Sequence, residues 1–177
     1  MEAVLMGKRV WGSDIDPHAL AGAERNLKWL CDHFSKRPLG TFTLFQHDAT
    51  KLPDLLDLSE VDAIVTEGYL GPPQSHLLSL AQAKHQARSL EPVYEGFFRM
   101  LQAAGFRGPV VMSFPYFRLK EGGAWFMDSF IRRLQKLGFT ANELLPRVPG
   151  IPSKKSLLYF RPDQAVGRHI YRLTPNA

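Results

Sequence analysis

The sequence predicts an α/β protein with a mostly parallel sheet and an antiparallel C-terminal edge. Three observations carry this. Short apolar runs of strand length alternate with longer segments of helical periodicity, the pattern of β-α-β units. Three of those runs, around residues 10–14, 41–46 and 61–66, each end in or lead within two residues to an acidic residue. Two further short runs, 156–161 and 167–173, stand one turn apart near the C-terminus and read as an antiparallel hairpin.

Residues 1–6, MEAVLM, are mostly apolar and close on Gly7, a helix-end signal, so the chain opens on the tail of a helix. Residues 8–14 form the first strand. Asp16 as N-cap and Pro17 at the first position start the first full helix. Ala19, Leu20, Ala23, Leu27, Leu30 and Phe34 then recur at helical spacing. The turn Pro38-Leu39-Gly40 leads to a second strand at 41–46, and 47–59 is a loop with one helical turn. Residues 61–66, VDAIVT, are too short for a helix and read as a buried third strand. Residues 74–104 are mostly helical, with Pro92 marking a break or the start of a second helix. PVVMSF at 109–114 is the fourth strand, and 124–137 is an amphipathic helix stopped by Gly138. Residues 139–145 and 156–161 are strands on either side of the Pro/Gly loop 146–152, and 167–173 is the last strand. Trp11, Trp29 and Trp125 read as core.

A chain of 177 residues with 45% hydrophobic content can bury one domain's core. The single cysteine, Cys31, excludes an internal disulfide and a cysteine-based zinc site, and no signal peptide is visible, so a cytoplasmic location is expected. The six histidines show no metal-ligand spacing, so no metal is expected. No apolar run is long enough to span a membrane. A net charge of +5 permits a polyanionic partner. The cations crowd towards the end of the chain. Lys154, Lys155, Arg161 and Arg168 are interleaved with Tyr159, Phe160 and Tyr171, which suits a phosphate-backbone surface. The same pattern also fits a hairpin whose aromatics fill the core and whose bases are solvated.

Carboxylates at the ends of successive strands suggest one shared ligand site. Asp14 stands where a carboxylate accepts the two hydroxyls of a ribose. Asp16 is a second candidate, although it also sits where the helix needs its N-cap. Asp48 can accept an adenine amine while the Ala49 N–H meets a ring nitrogen; an Asx turn opening the loop would use Asp48 equally well. After the third strand comes Glu67-Gly68-Tyr69-Leu70-Gly71-Pro72-Pro73, an acid, an aromatic and two glycines at a sheet edge. No G-x-G-x-x-G occurs, which argues against a nicotinamide-dependent oxidoreductase.

GSDIDPHALAGAERNL (12–27), HDATKLP (47–53), DAIVTEGYLG (62–71) and, weakly, PVVMSFP (109–115) together resemble the class I S-adenosylmethionine-dependent methyltransferases. Within them the chain is most similar to the THUMP-associated RNA methylases of the tRNA guanine-N2 type. The resemblance implies a Rossmann-like methyltransferase sheet and S-adenosylmethionine as cofactor. It implies that Asp14, with Asp16, binds the ribose, and that Asp48 and Ala49 bind the adenine. It also implies that Glu67 orients the accepting amine and Tyr69 stacks on a flipped base. The family's catalytic motif is (N/D)-P-P-(Y/F). Here Glu replaces Asp or Asn, Gly68 replaces the first proline, and the aromatic stands one place early. The extra methylene of Glu matters, because about 1 Å of misplacement can cost a factor near a hundred.

The family's Gly-rich loop, which cradles the methionine end of the cofactor, is not in the sequence. The single domain expected over 1–177 is therefore N-terminally incomplete and lacks its first strand, which in the family lies between the strands at 10–14 and 61–66. Methyl transfer to an exocyclic amine of a nucleic-acid base, RNA (tRNA) before DNA, is the expected function. The alternative is a non-catalytic remnant of the fold that binds nucleic acid or protein. Unpaired strand edges imply self-association and weak or absent cofactor binding by this chain alone.

Overall fold

The computed structural model describes residues 1–144 and 155–176. They fall into two compact units, Met1–Leu55 and Leu56–Ala177. The fold is α/β, as the periodicities imply.

The first unit contains α1 (Glu2–Leu5), β1 (Val10–Asp14), α2 (Pro17–His33), β2 (Phe42–Gln46) and a 3₁₀ segment, Ala49–Asp54. β1 and β2 are parallel, with Asp14 opposite Gln46. α2 begins where Asp16 accepts the His18 N–H at 2.8 Å and Pro17 occupies the first turn. Leu27 and Leu30 on α2 bury against Val4 of α1, with Phe34 and Leu44 packed beside them. Trp29 is not core: it is 57% exposed and stacks on His33. Position 29 lies on the face of α2 opposite to Leu27 and Leu30.

The second unit holds β3 (Ile64–Glu67), α3 (Leu80–Ala103), β4 (Val110–Arg118), β5 (Ala124–Phe126), α4 (Asp128–Arg133), β6 (Phe139–Asn142), β7 (Ser156–Tyr159) and β8 (Val166–Pro175). Its sheet runs β3-β4-β8-β6, with β5 added to β4 and β7 to β8. β3 is parallel to β4, and β8 is antiparallel to both β4 and β6. Hence β3, β4 and β6 share one direction. β8 opposes them and forms the expected hairpin with β7. Phe114, Phe117, Met112 and Tyr116 make β4 the buried centre of this sheet. α3 packs on it through Tyr94, edge-on to Phe114 at 5.2 Å, and Phe98, edge-on to Phe139.

Several elements differ from the sequence expectation. β3 starts at Ile64, because Val61 ends a 3₁₀ turn at Leu58–Glu60. It is also not buried on both faces: Val65 is 79% exposed. Among the described residues β3 pairs only with β4, and β1 only with β2. α3 starts at Leu80 because Ser79 and Gln82 form a reciprocal capping box. It then runs unbroken through Pro92. Pro92 is exposed, while Ala83, Ala87 and Leu90 before it and Tyr94, Phe98 and Leu101 after it bury one continuous face. That burial outweighs the roughly 3 kcal/mol cost of an internal proline.

Residues 124–126 are strand, not helix. β4 continues through Pro115 to Arg118 and turns back at Gly122 and Gly123, whose φ values are +91° and +75°. Helix therefore begins only at Asp128, and Gly138, at φ +80°, ends the 3₁₀ turn that follows it. The 146–152 loop lies outside the described residues. No helix among the described residues is long and apolar enough to cross a membrane.

Candidate functional site

In the first unit, parallel pairing brings Asp14 and Asp48 to the carboxyl ends of neighbouring strands. The His47 N–H donates to the Asp14 carbonyl oxygen at 3.0 Å, which continues the pairing just past β2. Asp14 is exposed, and its Oδ1 accepts the Asp16 N–H at 2.9 Å. Asp16 itself caps α2 through Oδ1. Asp48 is half-buried and its Oδ1 accepts both the Thr50 N–H and the Thr50 hydroxyl at 2.8 Å. These two bonds hold its carboxyl below the ordinary carboxylate range, the backbone bond most strongly. Ala49, exposed, is the first residue of the 3₁₀ segment that Asp48 caps. All four residues chosen for the cofactor thus lie at one end of this two-stranded sheet. Thr50, which orients Asp48, is not singled out by the sequence reading; its spacing in D-A-T is the available signal.

In the second unit, Glu67 ends β3 opposite Ser113 of β4. Gly68 follows in a place without room for a side chain. A Cβ there would lie 2.7 Å from Met112 Cε, 2.8 Å from Tyr94 Cε1 and 3.1 Å from the Ser113 carbonyl oxygen. This crowding explains the glycine. The Gly68 N–H donates to Ser113 O, and the Tyr94 hydroxyl donates to the carbonyl oxygen of Tyr69. Glu67 to Tyr69 is therefore pinned on both sides, while the Tyr69 ring is 59% exposed. Burial, reinforced by the Glu67 charge, pushes the Tyr94 hydroxyl pKa far above its usual value, so it stays a donor.

The Glu67 carboxylate has a partner. Its Oε1 accepts from Arg168 Nε at 2.8 Å, and Arg168 Nη2 stands 2.8 Å from the same oxygen as an ion pair. The sequence placed Arg168 with the phosphate-binding cations, and no local signal links residues that stand 101 positions apart. The register of β8 on β4 makes the contact. The remaining cations spread around β7. Lys155 precedes it, Arg161 follows it beside the Tyr159 side chain, and the Arg168 guanidinium lies 5.9 Å from the Tyr159 ring centre. Lys154 lies outside the described residues. The aromatics divide: Tyr171 is buried, but Tyr159 and Phe160 are 46% and 51% exposed. Filling the core with the hairpin's aromatics is thus realised only for Tyr171.

A cleft of about 410 Å³ lies elsewhere in this unit, lined by Lys84, Arg88, Glu91, Trp125, Ser129 and Arg133. None of the residues chosen from sequence lines it. Among the described residues no cluster of His, Cys, Asp and Glu could hold a metal ion.

No protein-family model matches the chain, and no curated protein matches it. Two solved structures resemble it. One is a candidate DNA modification methylase of Thermus thermophilus, 12% identical, with a TM-score of 0.43, covering 73% of this chain and 51% of its own. The chain therefore spans about half the length of that protein. The other is a 1,6-didemethyltoxoflavin-N1-methyltransferase of Burkholderia thailandensis, with bound 1,6-didemethyltoxoflavin and S-adenosylhomocysteine. It is 9% identical, with a TM-score of 0.45, covering 99% of this chain and 75% of its own.

Proposed function

We propose that the chain performs S-adenosylmethionine-dependent methyl transfer to an exocyclic amine of a nucleic-acid base, in RNA (tRNA) before DNA. The observation that supports this most is the pinned Glu67-Gly68-Tyr69 corner, where an acceptor carboxylate is followed by an exposed aromatic ring. Glu67 accepts an N–H of the amine and aims its lone pair. Tyr69 stacks on the extruded base.

Asp14 and Asp48 stand at the ends of neighbouring strands with carboxylate oxygens that accept hydrogen bonds, which fits ribose hydroxyls and an adenine amine, with Asp16 and the Ala49 N–H beside them. The cofactor, when bound, supplies an electrophilic methyl group. The sequence contains no Gly-rich loop, and no residue is assigned to the methionine end. Lys155, Arg161 and Arg168, with Lys154, supply charge for the phosphate backbone.

A second reading, a non-catalytic module for nucleic acid or protein, is favoured by one observation: Arg168 already holds the Glu67 carboxylate. Transfer of labelled methyl groups from S-adenosylmethionine to bulk tRNA separates the two. The enzyme reading expects label in RNA, reduced by Glu67→Gln. The binding-module reading expects none from either chain.

A further inference from the structure

The ion pair on Glu67 leads from the candidate acceptor to a second aromatic residue. Glu67 on β3 stands opposite Ser113 on β4, and Ser113 stands opposite Ile170 on β8. Arg168 is two residues along β8, and it stands opposite Tyr159 on β7. Directly paired residues, and residues two apart, share one face of a sheet. Glu67, Arg168 and Tyr159 therefore lie in line on one face, across four strands. Three strand spacings separate β3 from β7, about 14 Å. No single base spans that distance, so what touches Tyr159 is the neighbour of what touches Glu67.

The Tyr159 ring is 46% exposed and has a cation on each of two sides, Arg168 near its ring and Arg161 at its side chain. An exposed ring among guanidinium groups is the chemistry that holds an unpaired nucleotide, base on ring and phosphate on cation. Asp163 beside Arg161 and Glu67 beside Arg168 are the acids facing these cations. The Arg168–Glu67 pair is one charge-assisted hydrogen bond with a second nitrogen in ion-pair contact, its side chains 27% and 51% exposed. A pair with water at both partners contributes little to stability and can be exchanged.

We propose that Tyr159, Arg161 and Arg168 form a subsite for the nucleotide adjoining the target base in a single-stranded substrate, and that Arg168 leaves Glu67 for that nucleotide's phosphate. The free chain then carries Glu67 masked, and substrate binding unmasks it. This rests on the nucleic-acid reading above.

The test is fluorescence anisotropy of the full chain with a labelled short oligouridylate and with a duplex of the same length, over a range of salt. Tyr159→Ala should weaken the single strand about tenfold or more, Tyr159→Phe should retain binding, and the duplex affinity should not change. Arg168→Gln should lower the salt dependence by about one ion. Glu67→Gln should tighten oligouridylate several-fold, because Arg168 is no longer held. Unchanged binding by Tyr159→Ala, or unchanged or weaker binding by Glu67→Gln, overturns the subsite and leaves the nucleic-acid reading standing. No binding of oligouridylate or duplex by the wild-type chain overturns both. The expected pattern in a chain that transfers no methyl group supports the subsite and removes only catalysis.

Discussion

The Tyr94 hydroxyl on α3 donates a hydrogen bond to the carbonyl oxygen of Tyr69, 25 residues earlier in the chain. A helix buried on the sheet thereby fixes the loop that presents the candidate stacking ring. Tyr94 is 1% exposed, and its ring packs on Phe114 and Phe130. Tyr94→Phe keeps that packing and removes only the hydrogen bond. It should lower stability by about 0.5–1.5 kcal/mol, and Tyr94→Ala by about 3–5 kcal/mol. Urea denaturation of the two variants measures both, and a Tyr94→Phe midpoint equal to wild type would deny the bond any role.

Gly68→Ala should be costly although the backbone there is not left-handed. Its new methyl group meets Met112, Tyr94 and the Ser113 carbonyl within 3.1 Å. Met112 can yield, but the carbonyl belongs to the central strand. A loss of about 1–3 kcal/mol is expected from such overpacking. A stable variant with an unshifted melting curve would show that this corner relaxes freely.

His169 gives the fold a pH dependence. Its Nε2 lies 2.8 Å from the Ser156 hydroxyl and its Nδ1 3.2 Å from the Tyr171 hydroxyl, with Phe126 against the ring. Burial holds the imidazole below its ordinary value, against a smaller opposing pull from Asp128. The unfolded chain therefore takes up this proton at higher pH than the folded one. Stability from this group is complete above about pH 6.5 and is lost as pH falls from there through the folded value. Denaturation midpoints measured down to about pH 5 should fall, and His169→Gln should flatten that slope. Asp48 and Asp57 do not share this window, since Thr50 and Ser59 hold them below their usual range. An unchanged slope in the variant would show that His169 does not set it.

The open side of β3 should drive self-association. Val65 is 79% exposed on a strand paired, among the described residues, only with β4. Exposed apolar edges template further pairing, and lysine blocks it. Sedimentation velocity of wild type against Val65→Lys should show oligomers shifting towards monomer. A monomeric wild type at high concentration would contradict this.

Much of this is readable in advance wherever local chemistry decides. Asp16-Pro17 starts α2, Gly138 ends a turn, and the alternating β-α segments place three acids at strand ends. Tertiary packing decides the rest. Pro92 reads as a break because local propensity cannot weigh the apolar face that continues past it. Trp125 reads as helical because its apolar neighbours fit that period, while the Gly122-Gly123 turn folds β5 back on β4. The Glu67–Arg168 pair depends on strand register, which no local pattern encodes. The identities at Asp14, Asp48 and Glu67 are visible in the sequence, while their partners Thr50, Tyr94 and Arg168 are not assigned by it.

In the proposed function Asp14 and Asp48 hold the adenosine end of S-adenosylmethionine. Titration calorimetry of the whole chain with S-adenosylhomocysteine tests it most directly. Binding weaker than micromolar is expected, because the sequence contains no Gly-rich loop for the methionine end. Asp14→Ala should lose about 1.5–3 kcal/mol of that binding, Asp48→Ala should lose affinity too, and Asp16→Ala, whose carboxylate caps α2, should lose less. No heat at millimolar ligand, or binding that Asp14→Ala leaves unchanged, would contradict the account.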